Sequence, residues 1–126
     1  MQESSKKTIL IIEDEANIRH FATRVLDIEG YNVLAAEDGE TGLTIVADNH
    51  VDLIFMDLRL PGQDGWSVLR QVKSNKKLAN IKVIMLTASA GVSMREKALD
   101  MGAMDYLVKP LSAASLKEAA AQALIK

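Results

Sequence analysis

Four apolar runs in this chain each end in a residue capable of polar chemistry. "TILII" runs into Glu13 and Asp14, "DLIFM" into Asp57, "KVIML" into Thr87 and "DYLV" into Lys109. Together they offer three carboxylates, a hydroxyl and an ammonium. If the ends met, the acids could not coexist unaided. Two unit charges about 4 Å apart repel by roughly 4 kcal/mol at an effective dielectric of about 20, or about three pK units. Either one acid stays protonated or a cation sits among them. Oxygen donors without a neighbouring His or Cys select a hard ion. A site of few carboxylates, completed by water and a phosphate, suits Mg²⁺.

The elements that must position these residues follow from the same runs. Each is short and continuous rather than alternating, as expected of strands in a parallel sheet covered on both faces. A fifth, "NVLAA", is plainer and suits an edge. Helical spacing lies between them. Ile18, Phe21, Ala22, Val25 and Leu26 form an inward stripe, with Arg19, Thr23 and Arg24 toward water. Asp38 and Asp64 precede the second and third helical segments as caps, and the fifth runs from Ser112. Leu43, Val46 and Ala47 are the expected buried face of the second. The fourth covers about 92–101 and ends at Gly102. Strict β-α alternation predicts an α/β fold, a doubly wound five-stranded parallel sheet, as one domain over 1–126 with its core at about 7–126. Parallel strands bring their carboxyl ends, and so all five polar residues, to one edge. There ligands bind where the strand order reverses.

Composition narrows the function. The 126 residues carry a net charge of −2 with no basic block, so no direct nucleic-acid partner is expected. Cysteine is absent, which removes disulfides and thiolate metal sites. No run approaches the about 20 apolar residues of a membrane span, and the N-terminal residues lack the apolar core of a signal peptide, so a cytoplasmic location is expected. His20 and His50 read as isolated and exposed. For Asp14 alone, a helix N-cap is the competing reading. Asp57 escapes it, because "LRLPG" separates it from the next helix.

In the order "IIEDE", "FMDLRLPGQDG", "VIMLTA" and "DYLVKP", the chain resembles the receiver domains of bacterial two-component response regulators over its whole length. The resemblance implies a flavodoxin-like fold with strand order 2-1-3-4-5, an order for which a member of this family is itself a reference case. It implies that Asp57 accepts a phosphoryl group from a sensor histidine kinase or phosphotransfer protein, with Mg²⁺ as cofactor. Asp14 and Asp57 would be direct metal ligands, Glu13 a ligand through water, and the Arg59 backbone carbonyl a further oxygen. Lys109 and Thr87 would contact the phosphoryl oxygens. The Lys109-Pro110 bond is expected to be cis. Tyr106 would switch with Thr87, and the loop "ASAGVS" would rearrange. The signal would pass to a downstream protein through the fourth helix, fifth strand and fifth helix, including Met94, Arg95, Leu99 and Lys117.

Such a protein is no enzyme beyond assisting its own phosphorylation and slow autodephosphorylation, and is a monomer or weak dimer. Glu13, where many members have Asp, is a departure that shifts the water-mediated contact. The alternative is a receiver-like module that interacts constitutively, without phosphorylation. Two enzyme-like rivals fail on residues. A dehalogenase-like phosphatase needs a general acid where Arg59 stands, which cannot donate a proton at neutral pH. A flavin module needs a phosphate cradle where this chain has "EDE".

Overall fold

In a computed structural model, which describes residues 6–88 and 91–125, strands and helices alternate five times. The strands are β1 (Thr8–Ile12), β2 (Asn32–Ala36), β3 (Leu53–Asp57), β4 (Lys82–Thr87) and β5 (Asp105–Val108). The helices are α1 (Ala16–Ile28), α2 (Gly39–Asp48), α3 (Gly65–Ser74), α4 (Val92–Asp100) and α5 (Ala113–Ala123). All pairings are parallel, in the order β2-β1-β3-β4-β5. The doubly wound sheet and the edge position of "NVLAA" are as the sequence predicts. Met1 to Ser5, the start of the predicted domain, and Ser89 and Ala90 of "ASAGVS" lie outside the described residues.

The side-chain alternation of each strand divides the interior into two cores. Ile9, Ile11, Leu53, Phe55, Ile84 and Leu86 pack toward Ala22 and Leu26 of α1 and Leu116 and Ala120 of α5. Leu10, Ile12, Ile54, Met56, Val83 and Met85 pack toward Val46 of α2, Val68, Leu69 and Val72 of α3, and Ala98 of α4. With both faces covered, the strand residues are apolar without a break, which is the pattern the sequence carries.

Helix starts follow their caps. Asp38 accepts from the Thr41 N–H at 2.7 Å and Asp64 from the Ser67 N–H at 2.9 Å. Ser112 and Ser115 form a reciprocal capping box. α1 ends in a Schellman motif. The Gly30 N–H donates to the Asp27 carbonyl and the Tyr31 N–H to that of Leu26, with Gly30 at φ +98°. Gly42, a costly residue in mid-helix, has a packing reason. A Cβ there would collide with the Ile12 side chain.

Four expectations need correction. Phe21 is 40% exposed, because α1 seats on the sheet through Ala22 and Leu26 and leaves Phe21 on the flank of the stripe. Ala47 is exposed for the same reason on α2, whose buried residues are Gly39, Gly42 and Val46. Thr23 does not simply face water, since its hydroxyl oxygen is buried. His50 is exposed but not isolated, with Nε2 lying 2.9 Å from Asp52 Oδ1.

Candidate functional site

The carboxyl ends of β1, β3, β4 and β5 converge, and backbone bonds past the strand ends fix most of the residues there. The Glu13 N–H continues the ladder to the Ala36 carbonyl at 3.0 Å. The Leu58 N–H, just after Asp57, reaches the Leu86 carbonyl at 3.0 Å, and the Lys109 N–H reaches the Thr87 carbonyl at 2.7 Å. Side chains at these positions therefore have little freedom to splay apart.

Asp57 is 6% exposed and both its oxygens are engaged. Oδ2 accepts from Lys109 Nζ at 2.7 Å, and Oδ1 accepts from the Arg59 N–H at 3.0 Å. Lys109 is shared. Its Nζ also lies 2.8 Å from Glu13 Oε1. That second contact is an ion pair rather than an aligned hydrogen bond, since Oε1 takes no well-angled donor. Glu13 Oε2 accepts from the Glu15 N–H at 3.1 Å.

Glu13 is fully buried, and burial pushes its carboxyl above the ordinary value. The Lys109 ammonium and the Glu15 N–H oppose that rise, while the Asp57 charge adds to it. Burial works against the Lys109 ammonium too, but Asp57 and Glu13 overcome it and hold the lysine above its ordinary value. The site thus holds one cation strongly and has anionic capacity left over.

That capacity fits a metal. One carboxylate oxygen from each of Glu13, Asp14 and Asp57 lies within 4.8 Å of the others. All are hard oxygen donors, and Asp14 is exposed where the others are buried, so the cluster opens to solvent on its side. The capping alternative for Asp14 does not hold. The N-cap of α1 is Glu15, which makes no side-chain cap bond.

Thr87 is buried at the end of β4, beside Lys109 through the backbone bond. The Lys109-Pro110 bond is cis, as expected. Arg59 brings its N–H to Asp57 while its side chain is exposed. Tyr106 is buried on β5, packed with the α2–α3–α4 core. A cavity of about 490 Å³ opens beside the acids, lined by Asp14, Arg59 and Thr87 with Leu58, Trp66 and Met94. A slightly larger one, about 540 Å³, lies at the amino ends of the strands near Lys7, Asp52 and Lys82. Asp52 is the one acid among its lining residues, so a group of carboxylates rather than size marks the site.

Two residues in this region have roles that the motifs alone do not assign. Gly65 stands where α3 abuts β3. A Cβ there would strike the Asp57 carbonyl oxygen and lie 2.8 Å from Leu58 Cα. A glycine directly after the capping Asp64 is the available signal. Arg19, read as water-facing, instead turns back to donate to the Glu13 carbonyl at 2.8 Å.

Comparison with known proteins decides the family. The model of the response regulator receiver domain matches residues 9–121. The chain belongs to the response regulator receiver domain family. It is 42% identical over 112 residues to the protein named "Probable transcriptional regulator ycf27" of Porphyridium aerugineum, covering 89% of this chain and 45% of that one. It is 39% identical over 106 residues to the phosphate regulon transcriptional regulatory protein PhoB of Pseudomonas aeruginosa, covering 84% and 46%. The chain thus spans a little under half the length of these relatives. The crystal structure of a response regulator receiver domain protein from Clostridium thermocellum superposes with a TM-score of 0.84 at 32% identity, covering 94% of each chain. Receivers are phosphorylation-activated and regulatory rather than catalytic, and they bind Mg²⁺ at an acidic pocket. Among the described residues, no helix is long and apolar enough to cross a membrane.

Proposed function

We propose that this receiver accepts a phosphoryl group on Asp57 from a sensor histidine kinase or phosphotransfer protein and signals through the α4–β5–α5 face. The observation that carries the reading is the Lys109 ammonium, held 2.7 Å from Asp57 and 2.8 Å from Glu13 beside the three-carboxylate cluster. A carboxylate oxygen of Asp57 attacks phosphorus as the phosphorus–nitrogen bond of the donor phosphohistidine breaks. The bonding pair leaves with the imidazole, and Asp57 becomes an acyl phosphate. Such transfer asks mainly for positioning and charge neutralisation.

Asp14, Asp57 and the Arg59 carbonyl would hold Mg²⁺ directly and Glu13 would contribute through water, the arrangement the resemblance to receivers implies for these positions. When bound, the ion offsets the negative charge of the phosphoryl oxygens. Lys109 moves its charge from Asp57 to a phosphoryl oxygen, and the Thr87 hydroxyl donates to another. The same residues assist slow loss of the phosphoryl group to water.

Phosphorylation brings nearly two negative charges into the pocket. Movement of Thr87 toward them draws on α4, and Tyr106 follows from its packed position. The surface so altered includes Met94, Arg95, Leu99 and Lys117, the contact for a downstream protein partner. We place this receiver domain in the cytoplasm, monomeric or weakly dimeric. Amide shifts on adding a phosphoryl mimic with Mg²⁺ test the output: changes should extend through residues 91–108. Changes confined to the neighbourhood of Asp57 would reject the switch.

A further inference from the structure

Among the acids of the site, Asp14 is the one placed beyond the sheet's reach. Glu13 and Lys109 are anchored by ladder bonds of their own N–H groups, and Asp57 by that of its neighbour Leu58. Asp14 follows the last such bond of β1 and precedes a helix whose N-cap supplies no side-chain bond. α2, α3 and α5 all have such caps, whereas α1 and α4 start without one.

Arg19 stands one turn into α1, and helical side chains lean toward the N-terminus. Its Nη1 donates to the Glu13 carbonyl at 2.8 Å and the Asp14 carbonyl at 3.3 Å. It is half-buried in doing so. A charged donor strengthens such bonds about twofold over a neutral one, and the two N–H groups of Nη1 can serve two adjacent carbonyls.

We infer that Arg19 is a positioning residue for the cation site, fixing through these two carbonyls the backbone from which Glu13 and Asp14 project. The inference rests on the reading that these acids hold Mg²⁺. Arg19 itself touches neither the ion nor the phosphoryl group. Its charge works in the opposite sense, since a guanidinium beside the acid loop repels a divalent cation. Positioning is inferred to dominate because a misplaced ligand costs about tenfold or more in metal affinity.

The two effects differ in sign, which makes the inference testable by titrating the whole metal-free chain with Mg²⁺ in a calorimeter, alongside its melting midpoint in chelator. Arg19→Ala is expected to weaken Mg²⁺ binding about tenfold. Arg19→Lys keeps the charge on a shorter side chain, and should lie between. A fall in melting midpoint with unchanged Mg²⁺ affinity would show Arg19 to be only a structural tie between α1 and the loop before it, and overturn the inference. Tighter binding in Arg19→Ala would overturn it also, in favour of simple repulsion. Absence of Mg²⁺ binding by the parent protein overturns the metal reading itself, and is distinguished by occurring before any substitution.

Discussion

β3 is buried along its whole length, with Asp57 at its end 6% exposed, whereas β5 buries Tyr106 alone and leaves Val108 41% exposed. The helices beside them differ in the same way. α3 buries Gly65, Val68, Leu69 and Val72 and is capped by Asp64. α4 buries Ala98 alone and begins at Gly91 without a side-chain cap. Yet each pair leads to one partner of the 2.7 Å contact between Asp57 and Lys109. The acceptor is set in the most fixed part of the molecule and its counter-ion at the edge of the least. A charge change at Asp57 then has an inexpensive place to be expressed, because moving α4 and β5 disturbs few buried contacts.

Glycine substitutions should break this comparison most visibly. Gly65→Ala forces a methyl group into the backbone of Asp57 and Leu58, and should cost about 2–3 kcal/mol in urea unfolding. At Gly91 the same methyl group would meet Met94 Cγ at 3.6 Å, an ordinary contact, so Gly91→Ala should stay within about 0.5 kcal/mol. Equal losses at the two positions would erase the contrast.

The charge on Glu13 sharpens the anchored side. Its folded pKa lies above its unfolded one, so the fold binds more protons between the two. Its contribution to stability is therefore fully present below the ordinary carboxylate pKa of 4.5 and is lost as pH rises through the raised folded value. Glu13→Gln should accordingly be more stable than the parent at pH 7 without metal. The advantage should shrink as pH falls toward 4.5. Denaturant midpoints across that range check the sign, and a variant less stable at pH 7 would show that the Lys109 ion pair outweighs burial.

Smaller effects are expected where solvent reaches. Asp14→Ala should abolish Mg²⁺ binding while raising metal-free stability by about 1 kcal/mol or less, since Asp14 is exposed. A sharp fall in the melting midpoint would show that Asp14 stabilises the metal-free fold and contradict the repulsion argument. On the mobile side, Lys97 lies over the Trp66 ring at 4.4 Å from its centroid. Lys97→Ala should cost about 0.5 kcal/mol, read by urea unfolding with Trp66 fluorescence as the probe.

The fold was legible because continuous apolar runs have one economical arrangement, a parallel sheet with both faces covered. The acid cluster was legible for the same reason, as each polar residue directly follows such a run. What escaped was set by tertiary contact. Phe21 fits the helical stripe, but only packing shows which side of a stripe the sheet meets. Glu13 reads as a metal residue, and its pairing with Lys109 depends on how closely β5 brings the lysine. Arg19 looked solvated because periodicity assigns a face to Cβ and not to a guanidinium several bonds away. The close approach at Gly65 has only a hint in sequence, as glycine after a cap is common without one.

The central claim is that Asp57 carries the signal, and phosphorylation by a small acyl-phosphate donor with Mg²⁺ tests it most directly by intact-mass measurement. The account predicts one added phosphoryl group, removed by hydroxylamine as an acyl phosphate is, and none on Asp57→Asn. Equal labelling of Asp57→Asn would contradict it.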